Sequence, residues 1–280
     1  MSIDNQKEKI AAGIVLYNPE LKRLQENIGH IIDQVDQIVL FDNGSNNILN
    51  VQKLLLNWGE KIVLIKNDSN IGIASALNRL CRWAFEQNYQ YILTLDQDSV
   101  CPNGIIDKLL KDMKPNIAIA APNIIYRNNE TFYERKKGVE SVEWVITSAS
   151  LTDLSIWNII GGFDEKLFID GVDKDFCYRA REQGYRILKD FDIELLHELG
   201  NLSCRKIFGR TIYVTNHSAV RKYYMVRNAF YLDKKHSSNK RYAIVLKNIF
   251  KTVIYEENKV SKIRAIYKGI IDGVKMKNML

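Results

Sequence analysis

Asp96 and Asp98 stand one residue apart in LDQDS, directly after the apolar run YILTL. Two carboxylates in one turn can converge on a hard cation, and Mg²⁺ and Mn²⁺ both prefer oxygen ligands. A cation held there would neutralise a diphosphate and assist its departure. An acidic turn that only faces water is the alternative, and the position at the end of a strand favours the metal site.

A second acidic group lies in the stretch GGFDEKLFIDGVDKDFCYRAREQGYRI, which covers residues 161–187. Asp170, Asp173 and Asp175 are interspersed there with apolar residues. Carboxylates in apolar surroundings need compensation or acquire a raised pKa, which is the tuning that a general base requires. Acids also stabilise the first turn of a helix, so a capping cluster without chemistry is the alternative.

Apolar runs alternate with helical periodicity in the first 120 residues. The runs cover 11–17, 37–43, 61–67, 91–98 and 116–122, and amphipathic stretches lie between them. This alternation predicts an α/β fold with a parallel sheet that is covered by helices on both faces. Ligands bind beyond the carboxyl ends of such strands. The rule brings Asn18, Asp42, Asp96 and Asp98 to one edge.

The second half of the chain is less regular. We expect a hairpin or loop over 124–145, a short helix over 147–159, a helix over 173–184, strand structure over 185–198 and basic helices from 217 onward. The charge balance changes sign near 200–216, from −7 over residues 1–200 to +14 over residues 201–280. The predicted domains are therefore 1–216 and 217–280.

Composition narrows the class of protein. The 280 residues are 46% hydrophobic and 26% charged, which is typical of a soluble globular protein. The four cysteines have no metal-binding spacing, so we expect buried free thiols in a reducing compartment. The sequence lacks a signal-peptide pattern and any apolar stretch of about 20 residues, which predicts a cytoplasmic protein.

The basic segment 234–280 contains apolar residues at the spacing of two amphipathic helices with lysine-rich polar faces. Such helices can lie on an anionic membrane surface. Packing on the sheet domain or on a second subunit is the alternative, and both remain open. The segment has no nucleic-acid-binding motif, so nucleic acid is not an expected partner.

Taken together, the motifs IVLYNPE, LFDNGS, NIGIASALN, LTLDQDSV, ITSASL, GGFDEKLFIDGVDKDFCYRAREQGY, HELG and HSAVRKYYMVRN resemble the inverting family-two glycosyltransferases with a GT-A fold. The resemblance covers about residues 11–230 and is greatest to the rhamnosyltransferase-like subgroup of bacterial polysaccharide biosynthesis. It implies a Rossmann-like, mostly parallel sheet over 1–216 that binds a nucleotide-sugar, followed by a helical extension.

The resemblance also implies roles for single residues. Asp173 corresponds to the general base, although Val172 stands where the family has Glu, which leaves open whether Asp173 or Asp175 takes the proton. The implied nucleotide-binding residues are Asn18, Pro19, Asp42, Asn70 and Gly72, and the implied metal ligands are Asp96 and Asp98, with His197 as a metal ligand or a core residue.

Two further groups complete the predicted site. His217, Arg221 and Arg227 are expected at the diphosphate, because arginine matches phosphate oxygens in a bidentate way. Solvated positions on a helix face are the alternative for both arginines. Trp144 and the turn 147–150 are expected to shape an acceptor pocket, with core packing and helix capping as the alternative.

The predicted function is that of a metal-dependent inverting glycosyltransferase. The resemblance implies dTDP-rhamnose as donor, a hydroxyl of a glycan or lipid-linked glycan as acceptor, Mg²⁺ or Mn²⁺ as cofactor, and a place at the inner face of the cell membrane. The oligomeric state is open. The rivals are a nucleotidyltransferase, which would release pyrophosphate, and a nucleic-acid- or membrane-binding protein that uses the basic tail.

Overall fold

The computed structural model describes residues 8–126, 136–197, 203–207, 210–214, 216–237 and 239–277. Backbone contacts divide the chain into two compact units. The first comprises Met1–Glu165 and Phe176–Glu198, and the second comprises Lys166–Asp175 and Leu199–Leu280. Unlike the predicted boundary at 216, this division groups residues 166–175 and 199–216 with the C-terminal helices.

The first unit contains one eight-stranded sheet with the order β3-β2-β1-β4-β7-β5-β8-β6. The strands are β1 Ile10–Leu16, β2 Gln37–Asn43, β3 Ile62–Asn67, β4 Tyr91–Leu95, β5 Ile117–Tyr126, β6 Val139–Ser141, β7 Ser150–Asp153 and β8 Arg186–His197. The helices that accompany them are α1 Leu21–Ile31, α2 Ile48–Leu55, α3 Ile73–Glu86, α4 Ile105–Asp112, α5 Leu154–Ile160 and α6 Val172–Glu182. The first turn of α6 belongs to the second unit.

The predicted mostly parallel sheet is confirmed, with antiparallel pairs where β7 joins β4 and β5 and where β6 joins β8. β1 pairs in parallel with β2 and β4, β2 with β3, and β5 with β8. Every residue of β1 is buried, which is why this strand has a continuous apolar pattern instead of an alternating one. Apolar residues of the strands pack with those of α1, α2 and α4 in one core.

The stretch 147–159 departs from the prediction of a single short helix. Residues 150–153 form β7, which pairs antiparallel with both β4 and β5. Ser150 and Thr152 are buried in this strand, and because both are polar, the sequence shows no apolar strand pattern there. The helix α5 begins only after Asp153, whose carboxylate caps it by accepting from the N–H groups of Ser155 and Ile156.

The second unit contains a hairpin and three helices. The hairpin strands are β9 Ser203–Ile207 and β10 Arg210–Val214, and the helices are α7 Ala219–His236, α8 Arg241–Tyr255 and α9 Lys259–Lys275. The helices confirm the expectation for the region after 217, whereas the hairpin was not predicted. Three of the helices' apolar residues, Val226, Val245 and Ile266, are buried together in a small core.

A buried ion-pair network also lies in the second unit. Glu256 accepts from the ammonium groups of Lys222 at 2.6 Å and Lys262 at 3.0 Å, and all three side chains are almost completely buried. Burial alone would raise the pKa of Glu256, but the hydrogen bonds and charges of the two lysines outweigh burial and lower this pKa. The network therefore consists of charged groups that compensate one another.

Candidate functional site

The carboxyl ends of β1 to β4 lie at one edge of the sheet. In the strand register Leu16 is opposite Asp42, Asp42 is opposite Lys66, and Ile14 is opposite Leu95. The loops that follow these strands therefore begin at nearly the same level. This is the edge at which parallel α/β sheets bind ligands, and Asn18, Asp42, Asn70, Asp96 and Asp98 lie at or just after these strand ends.

The first two loops are joined by hydrogen bonds around Asn18. Asn18 has a left-handed backbone with φ of 48°. Its N–H donates to Ser45 Oγ at 2.8 Å, and its Oδ1 accepts from the N–H of Asn46 at 2.8 Å. The predicted residue Pro19 contributes its carbonyl, which accepts from Asn47 Nδ2 at 2.9 Å. The loop after β1 is thus fixed against the loop after β2.

Asp42, near the end of β2, binds the loop that follows this strand. Its carboxylate accepts from the N–H of Ser45 at 3.3 Å, and the residue is almost completely buried. Gly44 follows in the left-handed region with φ of 82°, and a Cβ at this position would lie 2.8 Å from the backbone carbon of Ser69. Glycine is therefore required where this loop meets the loop after β3.

Asn43 joins Asp42 to the predicted residues Asn70 and Gly72. Its Nδ2 donates to Asn70 Oδ1 at 3.1 Å, and its Oδ1 accepts from the N–H of Ile71 at 2.9 Å. Asn70 Oδ1 also accepts from the N–H of Gly72 at 2.9 Å, just before α3 begins. Sequence reasoning treated Asn43 only as a turn former. Its position directly after the predicted site residue Asp42 was the signal that could have identified it.

The turn after β4 carries the two predicted metal ligands, Asp96 and Asp98, which are both half-buried. The carbonyl of Asp96 accepts from Asn27 Nδ2 at 2.6 Å, which attaches the turn to α1. Among the described residues, no group of three or more His, Cys, Asp and Glu side chains is arranged to hold a metal. Two carboxylates nevertheless fit Mg²⁺ or Mn²⁺, because phosphate oxygens usually complete the coordination of such ions.

The turn 147–150 adjoins the Asp96–Asp98 turn. The Oγ atoms of Ser99 and Ser148 are 2.5 Å apart, and Thr94 Oγ1 donates to the carbonyl of Thr147 at 2.6 Å. Ala149 is buried with a left-handed φ of 56°, a conformation that surrounding structure must enforce. Ser148 and Trp144 also line a cavity of about 460 Å³ between the turn and strands β5 and β8.

In the second unit Asp173 lies in the first turn of α6. Its Oδ1 accepts from the N–H of Lys174 at 2.8 Å. Burial raises the pKa of Asp173 to about 6, against the lowering effect of the Lys174 hydrogen bond and charge. A carboxylate with this pKa is ionised at neutral pH and still basic enough to accept a proton, which is what a general base requires.

The neighbouring acids have cationic partners. Asp175 is fully buried, and its Oδ1 accepts from Lys235 Nζ at 2.8 Å and lies 2.9 Å from His236 Nε2. Asp170 accepts from Arg221 through Nε and Nη2, the shortest distance being 3.1 Å. These contacts favour structural roles for Asp175 and Asp170 and favour Asp173 as the base.

The residues predicted at the diphosphate differ in their surroundings. Arg227 donates to the backbone carbonyls of Lys166 and Leu167, so its guanidinium is engaged in holding a loop. Burial, followed by the charge of Arg221, lowers the pKa of His217 to about 4, so His217 is neutral at pH 7. The guanidinium of Arg221 remains exposed in its ion pair with Asp170.

The predictions for His197 and one cysteine are not decided. His197 ends β8, where its backbone pairs with Tyr126, and its side chain lies outside the described residues. Cys81, Cys101 and Cys177 are buried free thiols, as predicted, and burial raises the pKa of Cys101 to about 12. The side chain of Cys204 also lies outside the described residues.

The mixed sheet, with acidic and amide groups at the ends of its parallel strands, and the half-buried acid at the start of α6 match the GT-A fold that the sequence predicts. Comparison with known proteins agrees. Residues 12–180 match the family described as Glycosyl transferase family 2. The chain belongs to this family and is a glycosyltransferase, which removes the nucleotidyltransferase and the nucleic-acid-binding protein as alternatives.

One relative is similar over nearly its whole length. The chain is 34% identical over 288 residues to "dTDP-rhamnosyl transferase RfbF" of Shigella flexneri, with 95% of each chain covered. This similarity confirms the predicted rhamnosyltransferase-like subgroup.

Two solved structures share the fold at low identity. A structure of GalNAc-T7 with UDP, GalNAc and Mn²⁺ matches with a TM-score of 0.60 at 12% identity, covering 91% of this chain and 59% of that one. The mannosyltransferase PcManGT of Pyrobaculum calidifontis, in complex with GDP-Man and Mn²⁺, matches with a TM-score of 0.60 at 11% identity, covering 97% and 76%. The predicted GT-A fold is confirmed.

Proposed function

We propose that the protein transfers rhamnose from dTDP-rhamnose to a hydroxyl group of a glycan, with inversion at the anomeric carbon. The observation that carries the donor assignment is the 34% identity to a dTDP-rhamnosyl transferase over 95% of both chains. A lipid-linked glycan is the proposed acceptor.

The nucleotide is proposed to bind at the carboxyl ends of β1 to β3. Asp42 lies at the end of β2 with a carboxylate that is fixed by the N–H of Ser45, which orients it to accept from a pyrimidine base. The loops with Asn18 and Pro19, and with Asn70 and Gly72, are fixed on either side of it. Because these loops are already ordered, less conformational entropy is lost when the nucleotide binds.

The diphosphate is proposed to bind at Asp96 and Asp98 through a divalent metal, with Arg221 as an additional cation. His197 stays a candidate ligand, whereas Arg227 is proposed to act on the backbone of residues 166 and 167 instead of on the donor. When bound, Mg²⁺ or Mn²⁺ supplies positive charge that offsets the charge on the departing diphosphate.

Asp173 is the proposed general base. Its carboxylate takes the proton of the acceptor hydroxyl while that oxygen forms a bond to the anomeric carbon and the bond between this carbon and the diphosphate oxygen breaks. The cavity beside Trp144 and the turn 147–150 is the proposed place for the acceptor sugar, because an exposed indole offers a flat apolar face to a sugar ring.

Thermal unfolding with a panel of nucleotide-sugars tests the donor assignment. We expect dTDP-rhamnose with Mg²⁺ or Mn²⁺ to raise the melting temperature more than UDP-GalNAc or GDP-mannose, because a ligand stabilises the folded state to which it binds. Incubation with an acceptor should then release dTDP. Stabilisation by another nucleotide-sugar alone, or release of pyrophosphate, would overturn the proposal.

We also propose that α8 contacts an anionic membrane surface. Its exposed apolar residues fall on one arc of the helix, which is bordered by Lys247 and Lys251, and the helix contains no acidic residue. These apolar residues are Tyr242, Leu246, Phe250, Val253 and Ile254. Within the described residues, none of the helices combines the length and the apolar character that crossing a bilayer requires.

Vesicle flotation tests this contact. The protein should float with vesicles that contain about a third phosphatidylserine, and the double variant Leu246→Ser/Phe250→Ser should not, whereas the equally polar change Leu56→Ser at an exposed position of the first unit should have no effect. If the double variant instead dissociates a dimer and leaves flotation unchanged, the face is a subunit interface and the membrane proposal is wrong.

A further inference from the structure

The segment that precedes Asp173 has an unusual backbone. Phe168 and Asp170 have left-handed φ angles of 58° and 65°, and Gly171 follows with 87°. Residues other than glycine rarely adopt this region, and the conformation persists only where neighbouring structure enforces it. Neighbouring residues must therefore hold residues 166–171 in place. We term these residues the base loop.

The side chains of Arg227 and Asn228 supply hydrogen bonds to this loop. Asn228 Nδ2 lies within 2.7–2.8 Å of the carbonyls of Leu167, Ile169 and Asp170. The guanidinium of Arg227 donates to the carbonyls of Lys166 and Leu167 and to Asn228 Oδ1. The two N–H groups of one buried amide are thus shared among three backbone carbonyls of the base loop.

Further contacts extend along the same face of α7. Phe168 stacks on Tyr224 with ring centroids 4.7 Å apart, and the Asp170 carboxylate binds Arg221. A Cβ on Gly171 would lie 2.7 Å from Leu232 Cδ1, so only glycine fits there without displacement. The helix residues in these contacts are 221, 224, 228 and 232, whose spacing of three and four residues places them on one face.

The opposite side of α7 is supported by α9. Gly269 and Gly273 lie one turn apart, and a Cβ on either would come within 2.6–2.7 Å of the backbone carbonyls of Tyr223 and Arg227. This close approach of two helix backbones requires small residues at the contact. Helix α9 therefore fixes α7, which carries the residues that hold the base loop.

From this arrangement we propose that α7, supported by α9, positions the general base, with Asn228 as the main positioning residue of the base loop. The inference rests on the proposed function of Asp173. It assigns the basic C-terminal region a part in catalysis, beyond any contact with a membrane. Asn228 acts through the backbone of the loop and is not proposed to touch the substrate.

Asn228→Ala and Asn228→Asp test the proposal, with Tyr223→Phe as the matched control. Tyr223 lies on the same helix, and its hydroxyl donates to Asp272 of α9 at 2.8 Å, so the control also removes one hydrogen bond of α7. We expect both Asn228 variants to lower kcat by about 10- to 100-fold, since small displacements of a catalytic group have effects of this size, with the donor KM changed less than about threefold. Tyr223→Phe should leave kcat within about twofold.

The pH profile separates positioning from loss of stability. Loosening the base loop admits water to Asp173 and weakens the burial that raises its pKa, to which the charges of Lys174 and Asp170 also contribute. The acidic limit of kcat should therefore move from about pH 6 to lower pH. A merely structural Asn228 would lower the melting temperature without moving this limit or kcat, and that result would overturn the proposal.

Hydrogen exchange of the amides in residues 166–175 gives a readout that does not need turnover. We expect at least about tenfold faster exchange in this segment for Asn228→Ala and unchanged exchange for Tyr223→Phe. Unchanged exchange in the Asn228 variant overturns the positioning proposal even if the enzyme is active. Faster exchange in a protein that does not transfer rhamnose leaves α7 as the support of the loop and contradicts the proposed function instead.

Discussion

The two regions that contain the predicted site residues are held in different ways. At the sheet edge, the predicted residues lie at or after the ends of strands whose register aligns these ends, and hydrogen bonds between the loops complete the arrangement. These residues are Asn18, Asp42, Asn70 and Asp96. The base loop before Asp173 lies in the second unit and is held by side chains about 60 residues further along the chain. The first region is organised by topology, and the second by individual side chains of α7.

The largest effect at the sheet edge should come from Asp98→Asn. We expect kcat to fall on the order of 10²–10³-fold, because removing a metal ligand weakens the stabilisation of the leaving diphosphate. Metal should also lose its effect on donor binding in thermal unfolding. The control Asp107→Asn, at an exposed acid in the first turn of α4, should retain full activity. Equal activity of the two variants would show that Asp98 is not a metal ligand.

Gly273→Ala tests whether α9 fixes α7. Its Cβ would lie 2.7 Å from the carbonyl oxygen of Arg227 and 2.8 Å from Phe230 Cβ, so we expect a loss of about 1–3 kcal/mol in the free energy of unfolding. Gly29→Ala in α1, where a Cβ would meet no atom within 4 Å, should instead be neutral or stabilise by up to about 1 kcal/mol. Denaturant titration measures both. A neutral Gly273→Ala would contradict the close helix contact.

Asn43→Ala tests the loop-to-loop bonding at the sheet edge. The substitution leaves the N–H of Ile71 and the Oδ1 of Asn70 without their Asn43 partner, which should destabilise the protein by about 1–2 kcal/mol and weaken donor binding. Asn46→Ala is the control, because Asn46 contributes its backbone N–H, which alanine retains. Donor affinity measured by calorimetry should separate the two variants, and equal affinities would mean that this bonding does not shape the donor site.

Asp173 should also make stability depend on pH in a defined direction. Its folded-state pKa of about 6 exceeds the ordinary value of 3.8. The protonated carboxyl therefore adds to the free energy of unfolding below about pH 4, and this contribution is lost as the pH rises through 6. Asp173→Asn should therefore be more stable than the wild type at pH 8, on the order of 1 kcal/mol, with no such gain at pH 4. A gain that is equal at both pH values would contradict the raised pKa.

The same contrast explains what could be predicted from sequence. Strands β1, β2 and β4 have continuous apolar runs because both faces of the sheet are buried there, and polar residues at their ends identified the edge. Strand β7 was missed because its buried residues Ser150 and Thr152 are polar. The contact of Asn228 with the base loop could not be predicted, because its partners are backbone carbonyls about 60 residues away, and no sequence pattern indicates such contacts.

The most direct test of the proposed mechanism compares Asp173→Asn with Asp175→Asn, with donor binding and rhamnosyl transfer measured on the same preparations. If Asp173 is the base, its variant should bind dTDP-rhamnose within about threefold of the wild type and lose at least about 10³-fold in kcat. Asp175→Asn, which alters the contacts to Lys235 and His236, should retain more activity. Near-normal turnover by Asp173→Asn would contradict the assignment of the base.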